Sequence, residues 1–289
     1  MRSDTDSRPD SGHAAPIRLI ATDLDGTFLG ADTLPSADNR DAVLQAAALG
    51  VPTVFATGRP APWLRTIDLV RQARPRAITS NGAMIVDLAT AEILHTFPLD
   101  TDVTSEVIRD IRAELPRATF SVEFVDGWGA DANYPTGDRA PANLIVRDPL
   151  ELLSAGTIVK LLVRAGIPTT ELMEQVAPIV DDRLNVTFSV LMENGFLEMS
   201  RPGVDKGTTL NLLLDELGIS PSDVAAFGDM PNDLPMLDLV GHPYVMDNAH
   251  DLLKQRGFPI CGHHDNSAFA TTVRDLLGLP DPDPAGGNQ

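Results

Sequence analysis

Apolar residues along this chain fall in short runs, and the first of them, Ile17-Arg18-Leu19-Ile20-Ala21-Thr22, leads directly into two aspartates, Asp23 and Asp25, one leucine apart. A run without alternation is what a strand buried on both faces requires, and Asp25-Gly26 predicts a turn at its end. Residues 38–49, rich in Ala and Leu, predict a helix closed by Gly50. A second run over 51–56 is broken by Thr57-Gly58-Arg59-Pro60, and a third, Ala77-Ile78-Thr79, stops at Ser80-Asn81-Gly82. Strand, loop, helix and strand in this rhythm predict a parallel sheet with right-handed crossovers.

The rhythm changes over residues 84–199. Apolar runs at 93–99, 119–125, 157–165, 185–191 and 196–199 predict strands, while Val103, Val107, Ile108, Ile111 and Leu115 keep helical spacing, as do Leu172, Met173, Val176 and Val180. This pattern predicts an α+β module inserted into the first unit, with a long loop over 126–149. The first rhythm returns after Pro202-Gly203. A helix is expected over 208–217, a strand over 224–227 entering Gly228-Asp229-Met230-Pro231-Asn232-Asp233, a helix over 234–239, a short strand over 243–246, and two helical pieces ending near Leu277. The core is thus assigned to 17–83 and 200–279, the insert to 84–199, and tails to 1–16 and 280–289. Gly82 and Gly203 stand near the two expected crossings, as candidate hinges.

The formal charge of −19 weighs against nucleic acid or an anionic membrane as partner, because the mean field repels both. An anionic substrate then needs locally placed cations. The chain has one cysteine, Cys261, which fits a reducing cytoplasm and excludes an internal disulfide. Residues 1–16 lack the apolar run of a secretory signal, and no segment approaches the ~20 apolar residues of a membrane span.

Asp23, Asp25, Thr57, Lys206, Asp229 and Asp233 all fall at predicted strand ends or in loops before helices, where an open α/β sheet gathers its ligands. Taken singly each has an ordinary reading: Asp-x-Asp-Gly as a solvated turn, Lys206 as a surface lysine, Asp229 and Asp233 as helix caps. In their order, Asp-Leu-Asp-Gly-Thr, Ala-Thr-Gly-Arg, Asp-Lys-Gly and Gly-Asp-Met-Pro-Asn-Asp resemble the signature of the haloacid dehalogenase superfamily, in particular its Cof-type phosphatases of subfamily IIB. The resemblance implies a doubly wound, Rossmann-like α/β core with a parallel sheet and an inserted α+β cap.

It further implies a Mg²⁺-dependent phosphatase acting on a small phosphorylated metabolite, such as a sugar phosphate, through an aspartyl-phosphate. Asp23 would be the nucleophile and Asp25 the general acid and base. Asp23 and Asp229 would hold Mg²⁺ through their side chains and Asp25 through its backbone carbonyl, with Asp233 a ligand or the support of one. Thr57, Gly58, Asn81, Lys206 and Asn232 would surround the phosphoryl group. A phosphomutase of the same superfamily is the alternative, and it calls for cap cations, for which Arg139, Arg147, Lys160, Arg164 and Arg183 are available. A noncatalytic sensor of a phosphorylated ligand is the other. Trp128 and His95 are singled out as candidate substrate contacts, with structural roles as the competing reading. Gly127-Trp128-Gly129-Ala130-Asp131-Ala132 fits a dinucleotide fingerprint only formally, since no amphipathic helix follows. His263-His264-Asp265 reads as a polar loop. Oligomeric state is not legible in the chain.

Overall fold

In the computed structural model, which describes residues 16–136 and 143–280, the chain begins with β1 (Leu19–Thr22), α1 (Ala37–Ala48), β2 (Thr53–Ala56), a 3-10 helical stretch (Ala61–Ala73), β3 (Arg76–Thr79), β4 (Met84–Asp87) and β5 (Glu92–Thr96). An inserted set follows: α2 (Thr101–Glu114), β6 (Thr119–Phe124), β7 (Trp128–Ala130), β8 (Ile145–Val146), α3 (Pro149–Leu152), β9 (Ile158–Arg164), α4 (Thr169–Val180), β10 (Asn185–Thr187) and β11 (Leu197–Ser200). The first unit is then completed by α5 (Lys206–Leu217), β12 (Val224–Gly228), α6 (Leu234–Leu239), β13 (His242–Met246), α7 (Asp251–Lys254), β14 (Ile260–Gly262) and α8 (Ala268–Leu277). Apart from Pro16 and Pro280, the expected tails lie outside the described residues.

The larger sheet has the order β14-β13-β12-β1-β2-β3-β4-β5. From β14 to β3 every pairing is parallel. Consecutive residues of β1 serve opposite layers: Ile20 packs with Phe55, Phe227, α1 and α8, while Leu19 and Ala21 pack with Val54, Ile78 and the apolar face of α5. Two-sided burial is why this strand reads as a continuous apolar run. The chain winds outward from β1 through β2 and β3 on one side, and from β12 through β13 and β14 on the other, so the order reverses between β1 and β12. Strands diverging at such a point leave a crevice beyond their carboxyl ends.

The insert starts later than residue 84. β4 pairs antiparallel with β3, and β5 with β4, so both belong to the core sheet. Asp87 causes this: its carboxylate accepts the N–H groups of Ala89 and Thr90, reversing the chain so that the next run folds back onto the sheet. Ser80-Asn81-Gly82 is a corner rather than a boundary, with φ of 55°, 60° and 109° at three successive residues. The crossings therefore fall at about 97–100 and 201–204. Gly203 sits at the second, but Gly82 sits at neither: a Cβ there would stand 2.4 Å from the Asp205 carbonyl oxygen, so it is a point of close backbone approach.

The insert forms its own sheet, ordered β10-β11-β9-β6-β7-β8. One face, carrying Phe120, Val122, Leu161, Val163, Leu197 and Met199, packs on α2 and α4. The other carries Ser121, Glu123, Lys160, Glu198 and Ser200, all buried. The expected loop over 126–149 is only partly a loop, since β7 pairs with β6 and β8 with β7. Because Trp128–Ala130 is a strand, the glycines around Trp128 form no nucleotide loop. The run at 185–191 is a strand only as far as Thr187. β14 had no counterpart among the expected strands.

Candidate active site

The loops after β1 and β12 place Asp23 and Asp229 on either side of the switch point, each 6% exposed. Asp23, Asp229 and Asp233 each offer a carboxylate oxygen within 4.8 Å of the others. Lys206 enters this group because Asp205 caps α5 in a capping box with Thr208, which fixes the first turn and turns the next side chain inward. Its Nζ donates to Asp23 Oδ1 and to Asp233 Oδ1, both at 2.6 Å. Asp233 is fully committed, since its Oδ2 accepts the N–H groups of Asp229 and Met230 at 3.0 Å. Thr27 donates to Asp229 Oδ1 at 3.0 Å, and a Cβ on Gly26 would lie 2.3 Å from Asp229 Oδ2, so only glycine permits this approach.

Three buried acids with one ammonium are strained electrostatically. Burial, opposed by Lys206 and reinforced by Asp233 and Asp25, pushes the Asp23 carboxyl up to about 7. Burial together with Asp23 and Asp233 pushes Asp229 up to about 9. For Lys206, burial disfavours the charge, but Asp23 and Asp233 outweigh it and raise its pKa. The set lacks positive charge, and its donors are hard oxygens, which fits Mg²⁺.

Thr57 and Asn81 are brought beside these acids by the loops after β2 and β3. Thr57 Oγ1 accepts the Arg59 N–H at 3.1 Å, and the Asn81 N–H donates to the Thr57 carbonyl at 3.0 Å. Asn232 Nδ2 donates to Asn81 Oδ1 at 3.0 Å, leaving Asn81 Nδ2 and Asn232 Oδ1 buried without partners. Such atoms are ready to meet a ligand. The left-handed corner at 80–82 is the backbone strain that aims Asn81 inward.

Several contacts were not anticipated. Arg59 grips both oxygens of Asp25, through Nε at 2.6 Å and through Nη2. It is the last residue of Thr-Gly-Arg, and its position two residues after Thr57 is the signal that was available. Trp128, on the insert, meets Trp63 of the core edge-on with ring centroids 4.8 Å apart. His95 pairs with Glu216 at 2.7 Å and stacks on Phe97, which makes it a structural residue of β5. His263, His264 and Asp265 form a half-buried turn in which Asp265 accepts the Ala31 N–H and His264 meets the Leu29 carbonyl.

Carboxylates and a threonine at the ends of three strands of a doubly wound sheet, with a lysine from the first turn of α5 and an α+β insert above them, are the arrangement of a phosphotransferase-type hydrolase. A model of the haloacid dehalogenase-like hydrolases matches residues 20–273, and the chain belongs to that family. The HMP-PP phosphatase of Escherichia coli is 29% identical over 274 residues, covering 91% of this chain and 97% of that protein. Among solved structures, a haloalkanoate-superfamily phosphatase from Bacteroides thetaiotaomicron superposes with a TM-score of 0.78 at 23% identity, covering 94% of this chain and 99% of that one. A subclass IIB sugar phosphatase superposes with a TM-score of 0.77 at 16% identity, over 90% and 98% of the two chains. At these identities the two structures speak for the fold.

Proposed function

We propose that the protein is a Mg²⁺-dependent phosphatase of small phosphorylated metabolites, sugar phosphates or similar phosphomonoesters, working through an aspartyl-phosphate. The observation that carries this reading is the convergence of Asp23, Asp229 and Asp233 on one point at the switch of the sheet, with Lys206 bonded to two of them. Mg²⁺ would be held by the side chains of Asp23 and Asp229 and the backbone carbonyl of Asp25. When bound it supplies the positive charge that lets a carboxylate approach a phosphate dianion.

Asp23 attacks phosphorus, the ester P–O bond breaks, and the leaving oxygen takes a proton from Asp25. Asp25 then takes a proton from water as that water attacks phosphorus, the bond to Asp23 breaks, and inorganic phosphate leaves. Asp25, whose side chain is half-exposed, enters this role once a proton taken from water replaces one of its two bonds to Arg59, and the proton it later takes from the attacking water restores it. Thr57, the Gly58 N–H, Asn81 and Lys206 hold the phosphoryl oxygens, with Asn232 fixing Asn81. Asp233 orients Lys206 and the loop of Asp229.

The cap cations argue against a mutase. Lys160 is paired with Glu123 and Glu198, Arg164 lies over the rings of Tyr134 and Phe196, Arg183 bonds Asp110, and Arg147 is exposed. Arg139 lies outside the described residues. With Mg²⁺, the protein is expected to release inorganic phosphate from p-nitrophenyl phosphate and from members of a metabolite panel that includes HMP-PP. Isomerisation of a hexose monophosphate without free phosphate would sink the reading.

Metal binding should also appear in stability. The folded-state pKa values of Asp23 and Asp229, about 7 and about 9, lie above the usual 3.8. The folded protein therefore holds protons that the unfolded chain releases, and without metal its stability falls as pH rises from about 4 to about 9. A ligand at a hundredfold excess over its Kd adds ~2.7 kcal/mol. Thermal unfolding should show a Mg²⁺-dependent rise of roughly 5–10 °C at pH 8 and a much smaller one at pH 5. Equal shifts at both pH values would count against these acids as the metal ligands.

A further inference from the structure

Three charged side chains on the core-facing side of the insert's sheet take no part in the chemistry above. Glu123 and Lys160 are cross-strand partners on β6 and β9, and Glu198 lies on β11 next to them. Their side chains are 0%, 3% and 3% exposed. Lys160 Nζ donates to Glu198 Oε1 at 2.9 Å and lies 3.2 Å from Glu123 Oε2 without hydrogen-bond geometry. It also donates to the Gly58 carbonyl at 2.6 Å, on the loop proposed to hold the phosphoryl group. Ser80, next to Asn81, donates to Glu123 Oε1. A Cβ on Gly58 would lie 3.4 Å from Glu198 Oε1 and 3.1 Å from Asn81 Oδ1. The three groups thus stand directly over the phosphoryl subsite, where the alcohol portion of a phosphomonoester must lie.

The cluster is incomplete as it stands. Glu198 Oε2 is buried and accepts no hydrogen bond, and Glu123 Oε2, also without one, has only the Lys160 ammonium 3.2 Å away. Buried acceptors short of hydrogen bonds are costly, and a ligand donor that meets them removes that cost. Burial pushes the Glu123 carboxyl up, whereas the two carboxylates, against burial, raise the pKa of Lys160 and keep it charged. Aliphatic residues at three positions inside buried strands would have served packing alone better than two acids and a lysine.

We propose that Glu198 and Glu123, held in place by Lys160, select the leaving group, admitting phosphomonoesters whose alcohol portion presents hydroxyl or amino donors to these two carboxyl groups. This rests on the phosphatase reading. A purely mechanical latch between insert and core would use the same bonds to Gly58 and Ser80, but it would not distinguish one leaving group from another.

The test compares kcat/KM for paired esters with Mg²⁺: glycerol 1-phosphate against propyl phosphate for hydroxyl donors, and 2-aminoethyl phosphate against ethyl phosphate for amino donors. The native enzyme is expected to favour the donor-bearing member of at least one pair by roughly 10- to 100-fold. In Glu198→Gln and Glu123→Gln that ratio should fall to within about threefold of unity, with the change in KM for the donor-bearing ester exceeding that for its partner. If Glu198→Gln does not fold, Glu198→Asp, which withdraws the oxygens from the loop, is expected to lower the ratio in the same way. No preference in the native enzyme, or a ratio that survives in the folded variants, overturns the proposal while leaving a phosphatase. Absence of turnover of every ester, p-nitrophenyl phosphate included, removes the phosphatase reading and this inference with it.

Discussion

Asp23→Asn should lose phosphomonoester turnover by about four orders of magnitude or more, as removal of a nucleophile does elsewhere. The substituted amide cannot form the acyl phosphate, and no neighbouring carboxylate is free to replace it: Asp233 has both oxygens bonded, and Asp229 comes from a different strand end. The fold should survive. Lys206 keeps its bond to Asp233, and the loss of one of three crowded acids relieves repulsion. The measurement is phosphate release alongside thermal unfolding at pH 8 without metal, where the variant should melt at or above the native temperature. Tight binding of a phosphorylated ligand by a native protein with no turnover would instead support a sensor.

Lys206→Met has the second large effect, and it acts on stability as well as rate. Methionine fills a similar volume but leaves Asp23, Asp229 and Asp233 buried without a cation. Removing one partner of a buried ion pair costs ~3–5 kcal/mol, or a fall in Tm of roughly 10 °C. Activity should fall by about a thousandfold, since an electrostatic group at the phosphoryl subsite is lost. The stability loss has a sign in pH. Below about 7 both Asp23 and Asp229 hold protons, so the penalty should shrink at pH 5 and be largest above pH 9. Chemical denaturation at the two pH values decides it, and a pH-independent loss would mean that Lys206 acts through packing alone.

The sequence was most legible where one residue type had one use. Aspartates at the ends of fully buried strands could be read as a convergent set, because an open sheet gathers its ligands beyond those ends and the order of the motifs resembles the haloacid dehalogenase signature. Residues 84–96 were misassigned for the opposite reason: a break at Ser80-Asn81-Gly82 looks the same whether the chain leaves the sheet or turns a left-handed corner within it. Glu123, Lys160 and Glu198 were hidden as a group because their pairing depends on strand register across 75 residues of chain, from β6 to β11. Each was nonetheless visible singly, as a charge with apolar residues on both sides of it in the chain. The grip of Arg59 on Asp25 joins residues 34 apart and left no periodic trace.

The chain has two tryptophans, and they stack edge to face, one from each unit. Indole emission responds to the loss of a ring partner and to water. Parting of the insert from the core is therefore written into the protein's own fluorescence, with no label attached and no other indole to blur the signal.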